Sequence, residues 1–431
     1  MKTMYPKPRI CMALPAITCP PFGAYVLNTL PLLPYLEAEF DVTLAFCDTP
    51  EDPQLNCHYL SILEASRSSG TKTADQKGYF NPRGPLGAWQ YLQVLDKFAQ
   101  EQAENFDLVI EKQWSLVGGL SSAFIRYGVP SVFIIEAEFY NNIFFKGWKD
   151  KALRFALNQL LPHLRRRWMN RANGIIVETQ QTKSFLLENN YPVHNKPVTT
   201  IPNGIDPNIF FPQDRKFCRE QLGISQEAFV LTYVGSLRRF IQEPGPIIEA
   251  LGKQKPRDVV LHMIGDGHKQ QELEDIAQKF AAPVIFHGRR SQQEAALYIG
   301  AADLCLAPYN KNLFPGGKFT SASLKVCEYL ACGRPVLTIP CQRMEHLLAG
   351  GKYGLFVENQ VDSYREFFRN LPSREELSQM ENCLISDLQS SVLRDQGIVL
   401  TWQEIAQLYK QVIMEIISHN VTPVPLKFLK V

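Results

Sequence analysis

Short apolar runs alternate with longer amphipathic segments along most of the chain, a pattern typical of α/β architecture with parallel sheets. The first half predicts six strands, at residues 9–14, 41–46, 108–111, 131–135, 174–177 and 198–201. The second half predicts another six, at residues 229–234, 259–264, 284–287, 304–307, 336–339 and 354–357. The clearest helical periodicity lies at 84–104 and 148–172, whereas 48–81 is polar and irregular and predicts an extended loop.

The length of the chain favours two domains, because hydrophobic cores stop growing at about 250–300 residues and this chain has 431. Asn203-Gly204 supplies a turn between the two series of strands, and Pro202 stiffens the passage. We therefore predict one Rossmann-like domain at 1–203 and a second at 204–405. A C-terminal helix and tail at 406–431 is expected to pack back towards the first domain.

The composition is that of a soluble globular protein, with 45% hydrophobic and 20% charged residues and a net charge of +2. Such a small net charge gives no reason to expect nucleic-acid binding. None of the ten cysteines forms a C-x-x-C pair, so free thiols in a reducing compartment are expected. Pro15 interrupts the first apolar run too early for a signal peptide, and no segment is apolar enough to span a bilayer. We therefore expect a cytoplasmic protein.

The segment 321–336 carries the most informative candidate chemistry of the chain. Its hydroxyls can cap a helix whose first turn contains Lys325, and Glu328 follows three residues later on the same face. Free N–H groups at a helix N-terminus suit a diphosphate, and a carboxylate one turn along suits ribose hydroxyls. The segment therefore predicts a nucleotide site. An ordinary capped amphipathic helix is the alternative.

Several short motifs accompany this segment in a fixed order, at 201–206, 233–239, 263–267, 286–288 and 302–308. In that order they resemble the C-terminal half of GT-B glycosyltransferases of the GT4 group. The resemblance extends over 172–402. Within that group the chain looks most like members that read S-P-L-K-x-x-E-Y-x-A-x-G-x-P-V, with Ala322-Ser323 in place of Ser-Pro.

The resemblance implies two Rossmann-like domains whose parallel sheets face a central cleft, with the acceptor on the first domain and a nucleotide-sugar donor on the second. It also implies transfer of a sugar to an acceptor hydroxyl with retention of anomeric configuration. The acceptor would be a glycan or a lipid-linked glycan. No metal or other cofactor is expected, because the sequence contains no Asp-x-Asp motif and no His/Cys cluster with metal-ligand spacing.

Residue by residue, the resemblance gives two sets of candidates. The catalytic set is Arg238, Arg239, Lys325 and Glu136. The set for binding the nucleotide and donor is Gly23, Gly235, Ser236, Gly288, Arg289, Lys318, Thr320, Ser323, Leu324 and Glu328. Which of the two arginines faces the diphosphate stays open, and solvated loop or strand-end positions are the alternative for the arginines and for Glu136.

The chain departs from the family pattern at two positions. Thr320 stands where the E-x7-E pattern has its first glutamate, which predicts altered contacts to the donor sugar. Gln242 stands where many relatives have a lysine. These departures leave open a second hypothesis, a catalytically silent subunit that binds a nucleotide sugar. A sugar-nucleotide epimerase is a third, but no acid/base pair for it is identifiable.

Basic residues are interleaved with leucines and aromatics over 148–172, a composition that suits docking on an anionic membrane. The alternative is a helix packed on its own domain with a solvated basic face. Peripheral membrane contact of a cytoplasmic protein is therefore one of two interpretations.

Overall fold

The computed structural model describes residues 6–18, 28–49, 56–64, 84–137, 149–237, 241–314 and 318–419. It divides the chain into two compact units. The described residues of Met1–Pro202, Thr320–Ala322 and Trp402–Val431 form the first unit. Those of Asn203–Phe319 and Ser323–Thr401 form the second.

The first unit contains a seven-stranded parallel sheet in the order β3-β2-β1-β4-β5-β6-β7. Its strands are β1 Arg9–Thr18, β2 Asp41–Asp48, β3 His58–Ser61, β4 Leu108–Lys112, β5 Ser131–Ile135, β6 Gly174–Val177 and β7 Val198–Thr200. Its helices before Pro202 are α1 Leu33–Glu37, α2 Gly84–Gln102, α3 Gly119–Arg126, α4 Lys149–Arg171 and α5 Gln180–Glu188.

The second unit contains a six-stranded parallel sheet in the order β10-β9-β8-β11-β12-β13. Its strands are β8 Phe229–Val234, β9 Val259–Ile264, β10 Val284–Gly288, β11 Leu304–Ala307, β12 Val336–Thr338 and β13 Gly354–Phe356. Its helices are α6 Arg215–Leu222, α7 Gly245–Gln254, α8 Gln270–Phe280, α9 Gln292–Ala301, α10 Leu324–Ala331, α11 Gln342–Leu347, α12 Val361–Arg369, α13 Arg374–Gln389 and α14 Val392–Asp395. The last helix, α15 Trp402–His419, belongs to the first unit.

Two doubly wound parallel sheets confirm the predicted α/β class, and all twelve predicted strands are present. The central strands are buried on both faces, as every residue of β4, β5 and β6 shows. Strands buried on both faces read as continuous apolar runs, which is why the hydrophobic pattern located them.

The prediction of a loop over 48–81 is wrong at His58–Ser61, which forms β3. Thr43 of β2 pairs with His58, and the two strands then run parallel to Ser61. β3 is a short edge strand whose first three residues are exposed or half-buried. An edge strand needs no apolar run, because only part of its surface is covered, and the hydrophobic signal is correspondingly weak.

α15 packs on the first unit, where Ile413 and Ile416 are buried. The side chain of Ile416 lies against Gly174 at the start of β6. Lys410 of the same helix forms an ion pair with Glu39. The helix therefore contacts residues from two distant parts of the sequence, Glu39 and Gly174.

Glycines close the carboxyl ends of three neighbouring strands in the second sheet. Gly235 follows β8 and donates its N–H to the carbonyl of Ile264 at 2.9 Å. Gly265 follows β9 and donates to the carbonyl of Gly288 at 2.8 Å. A Cβ atom on Gly265 would lie 1.9 Å from the carbonyl oxygen of Gly235, so no other residue fits there without moving the backbone.

We expect Gly265→Ala to lower the free energy of unfolding by about 2–5 kcal/mol, because the added methyl meets backbone that cannot rotate away. Gly223→Ala is a matched control, since Gly223 has φ +67° but no atom within 4 Å of its added Cβ. It should cost only about 1–2 kcal/mol for the left-handed backbone. Urea unfolding followed by circular dichroism measures both. If the two variants lose equal free energy of unfolding, the close backbone contact is not the reason that position 265 requires glycine.

Candidate functional site

The start of α10 is capped by a side chain, as the sequence predicted. The Ser323 hydroxyl accepts the N–H of Val326 at 3.3 Å. The hydroxyl of Tyr309, two residues beyond β11, lies 2.5 Å from the same Ser323 oxygen. Leu324 is half-buried as the first residue of the helix. The helix N-terminus is therefore fixed beside the end of β11.

Tyr329 fixes α10 at the point where the strand order of the second sheet reverses. Its hydroxyl accepts the N–H of Val234 at 2.8 Å and lies 3.3 Å from the carbonyl oxygen of Leu306. The pairing between β8 and β11 ends at Thr232–Cys305, so this hydroxyl bridges the two strands where they separate. In open α/β sheets such a switch point is where ligands bind.

Lys325 is almost completely buried, with 7% of its surface exposed. Its ammonium lies 4.1 Å from the centroid of the Tyr233 ring and 5.8 Å from that of Tyr309. A Cβ on Gly235 would come 2.6 Å from Lys325 Nζ, so the ammonium lies directly against the loop that follows β8. The structure thus brings together Lys325 and Gly235, both predicted from the sequence, and adds two tyrosines that were not.

Glu328 lies one turn along α10, where burial raises the pKa of its carboxyl to about 7 and the nearby charge of Lys325 opposes the rise. Both protonation states are therefore populated near neutral pH. A carboxylate that is poorly hydrated but still reachable is suited to accept hydrogen bonds from ligand hydroxyls.

The remaining predicted positions in the second unit lie in different environments. Gly288 has φ +66°, and its carbonyl accepts the N–H of Gly265. Ser236, Arg289 and Lys318 are exposed. The carbonyl of Ser236 is 3.2 Å from the hydroxyl of Tyr233. Gly23, Arg238 and Arg239 lie outside the described residues, and their roles stay predictions.

Thr320 is buried, and its backbone carbonyl is held by two hydroxyls of the first unit. Thr179, which caps α5, donates to it at 2.7 Å, and Thr182 donates at 3.3 Å. Its position is therefore fixed through its main chain. Sequence reasoning did not connect these segments, which are 141 residues apart.

Glu136 follows β5 and is buried, so the alternative of a solvated strand end is wrong for this residue. Its carboxylate pairs with Lys112 Nζ at 3.0 Å, and that ammonium also donates to the hydroxyl of Thr29 at 3.1 Å. Gln113 accepts the N–H groups of Glu136 and Ala137 at 2.6 and 2.9 Å. Lys112 was not identified from the sequence, although a lysine ending a buried strand is a usable signal.

A second polar group lies on β9 and β10. His262 Nδ1 lies 2.8 Å from His287 Nε2, and His287 Nδ1 lies 3.0 Å from the hydroxyl of Tyr298. Burial, followed by the charges of His287 and Arg219, lowers the pKa of His262 to about 4. Both imidazoles are therefore neutral in this arrangement at neutral pH, and one of the two facing nitrogens donates the hydrogen bond to the other.

α4 does not present all its basic residues to solvent. Arg165, counted from the sequence as part of a basic face, is 1% exposed and donates to the carbonyl of Ser115 at 2.8 Å. That part of the membrane-docking interpretation is wrong, because Arg165 ties α4 to the loop after β4. Leu160, Arg167 and Arg171 are exposed.

Two further observations apply to the described part of the chain. No helix there is both long and apolar enough to cross a membrane. Within the same residues, no three His, Cys, Asp or Glu side chains come together as a metal ion would require.

Both halves of the chain match known family models. Residues 30–209 match the model described as Glycosyltransferase Family 4, and residues 228–371 match Glycosyl transferases group 1. The chain is 25% identical to a D-inositol 3-phosphate glycosyltransferase of Nocardioides sp., over 66% of this chain and 65% of that protein. It is 23% identical to the N-acetyl-alpha-D-glucosaminyl L-malate synthase of Bacillus anthracis, over 38% of this chain and 41% of that protein. The chain thus spans a little under two thirds of the first of these relatives.

Solved structures show the same fold at low sequence identity. Sucrose-phosphate synthase from Thermosynechococcus elongatus has a TM-score of 0.68 and 16% identity, covering 96% of this chain and all of that one. Anabaena HepE in complex with UDP and glucose has a TM-score of 0.66 and 17% identity, covering 94% of this chain and 99% of that one. These similarities confirm the predicted GT-B fold.

Proposed function

We propose that this chain, a GT4-like glycosyltransferase by its two family matches, transfers a sugar from a nucleoside diphosphate donor to an acceptor hydroxyl with retention of configuration. The observation that carries the proposal is the position of the Lys325 ammonium. Lys325 lies in the first turn of a capped helix, and its ammonium lies against Gly235. Glu328 lies one turn further along the same helix.

The donor diphosphate would bind at the N-terminus of α10, where the orientation of the backbone N–H groups and the helix dipole favour anions. Lys325 adds a full positive charge there, and Gly235 and Gly265 leave the strand ends without side chains. Anabaena HepE, which shares the fold, was solved with UDP and glucose, and this supports the same ligand class for the present chain. Glu328 would accept the ribose hydroxyls, and the Gly288-Arg289 backbone would contact the base.

On the first unit, Glu136 would orient the reacting hydroxyl or a hydroxyl of the donor sugar. It lies at the carboxyl end of β5, and its partner Lys112 ends β4. A buried carboxylate held by a lysine has a fixed direction, as a positioning group requires. We propose a glycan or lipid-linked glycan as acceptor, and the exposed Leu160, Arg167 and Arg171 of α4 support contact with an anionic membrane.

Binding of a UDP-sugar should depend on pH through Glu328. A ligand whose hydroxyls donate to the carboxylate prefers the ionised form, so the affinity should fall by up to about tenfold per pH unit below pH 7. Glu328→Gln should remove this dependence and weaken binding at pH 8 by roughly 1.5–3 kcal/mol. Calorimetry over pH 5.5–8.5 measures both effects. Glu345→Gln, at an exposed position on α11, is the control. A pH-independent affinity in the wild type would exclude this role for Glu328.

Transfer should survive chelation, because Lys325 and the two arginines after Gly235 would stabilise the leaving diphosphate. The absence of an Asp-x-Asp motif from the sequence supports this mechanism. Turnover measured with and without EDTA should agree within about twofold, whereas a metal-dependent glycosyltransferase assayed in parallel stops. Activity that is lost in EDTA and restored by manganese would contradict the proposal.

Arg238 and Arg239 distinguish an enzyme from a silent binding subunit. A transferase needs more charge stabilisation as the glycosidic bond breaks, whereas a binder needs it only in the ground state. At least one of Arg238→Gln and Arg239→Gln should therefore lower kcat by about 10²-fold or more while changing donor affinity far less. Arg257→Gln is the control, since that side chain is 95% exposed.

The assay follows hydrolysis or transfer of a donor sugar with a panel of glycan and lipid acceptors, and NMR of the product reads its anomeric configuration. An inverted product would overturn the retaining mechanism alone. A wild type that binds a donor but shows neither reaction would support the silent subunit instead.

A further inference from the structure

Two tyrosine rings flank the ammonium of Lys325 inside the second unit. The ring centroid of Tyr233 is 4.1 Å from Nζ, and that of Tyr309 is 5.8 Å away. Tyr233 is fully buried, and Tyr309 is 3% exposed. Both distances fall within the range of about 6 Å at which a cation is attracted to an aromatic face.

Each ring is itself held through its hydroxyl. The Tyr233 hydroxyl contacts the side-chain oxygen of Gln242 and lies 3.2 Å from the carbonyl of Ser236. The Tyr309 hydroxyl lies 2.5 Å from Ser323 Oγ, the cap of the helix that carries Lys325. Gln242 also forms a backbone β-bridge with Tyr309. One residue therefore connects the two rings, and their orientation does not depend on Lys325.

An aromatic ring and a carboxylate differ in how they affect the charge of a lysine that they contact. A ring attracts the ammonium through its quadrupole but carries no net charge, so the ring contact itself does not neutralise the lysine. A carboxylate in the same place would neutralise the lysine and compete with a diphosphate for its N–H donors. Desolvation between the rings also strengthens the electrostatic contact with any bound anion.

We propose that Tyr233 and Tyr309 are positioning residues, which hold the Lys325 ammonium against Gly235 so that it meets the donor diphosphate without reorganisation. Gln242 serves this role indirectly, by fixing the Tyr233 hydroxyl and the backbone of Tyr309. The inference rests on the proposed function, since it assigns the held charge to a nucleoside diphosphate.

A double-mutant cycle between Tyr233 and Lys325 tests the inference. The variants are Tyr233→Leu, Lys325→Met and the two together, with Tyr233→Phe as the conservative variant that keeps the ring. Calorimetry gives the affinity of each for UDP, ADP and GDP, and circular dichroism and melting temperature confirm that each variant is folded. The same variants are assayed for kcat and KM with the matching nucleotide sugar.

Tyr233→Leu should weaken binding of the preferred nucleoside diphosphate by about 3- to 30-fold, the range expected for loss of a buried cation–π contact. In the Lys325→Met background the same substitution should change affinity less than about twofold, because the charge that the ring positions is gone. Tyr233→Phe loses the hydroxyl contact with Gln242 but keeps the ring, so it should lose less affinity than Tyr233→Leu. Tyr309→Leu should follow the same cycle with a smaller loss, since its ring is further from Nζ.

Equal losses from Tyr233→Leu in the wild-type and Lys325→Met backgrounds would overturn the inference and leave the proposed function intact. The inference also falls if Tyr233→Phe is as damaging as Tyr233→Leu, since the ring would then not be the active feature. A wild type that binds none of the three nucleoside diphosphates overturns the inference together with the proposed function.

Discussion

The second unit depends on one hydroxyl at the point where two strands separate. Past Thr232 and Cys305, β8 and β11 diverge, and a buried backbone N–H left without an acceptor there would cost free energy. The hydroxyl of Tyr329 accepts that N–H from Val234 and also reaches the carbonyl of Leu306. Because Tyr329 lies in the middle of α10, the same bond fixes the rotation of the helix about its axis relative to β8 and β11, and with it the direction of the face that carries Lys325 and Glu328.

Much of the fold could be predicted from the sequence, because strands buried on both faces are marked by apolar runs. β3 could not, since an edge strand such as His58–Ser61 needs no such run. In the site, the cap at Ser323 and the offset between Lys325 and Glu328 are local features, and local spacing was sufficient to find them. The contacts of Lys325 with Tyr233 and of Glu136 with Lys112 join distant segments, and no spacing rule reports them.

The local sequence pattern did not predict whether two charged side chains, Arg165 and Glu136, are buried. Arg165 was counted among the basic residues of 148–172, yet it is buried and donates to a backbone carbonyl. Glu136 allowed a solvated interpretation and is instead held in an ion pair. In both cases the partner lies on another element, so burial of the charge is decided by tertiary packing and not by the local sequence.

The paired imidazoles on β9 and β10 make one edge of the second sheet sensitive to acid. The lowered pKa of His262, about 4 against about 6.5 when unfolded, means that the unfolded chain binds more protons between these values. Stability from this pair is therefore complete above about pH 6.5 and is lost as the pH falls towards 4. A second proton would also set two N–H donors against each other at 2.8 Å. Since β10 is the outermost strand, acid would loosen the sheet from that side, next to the glycines that close its carboxyl end.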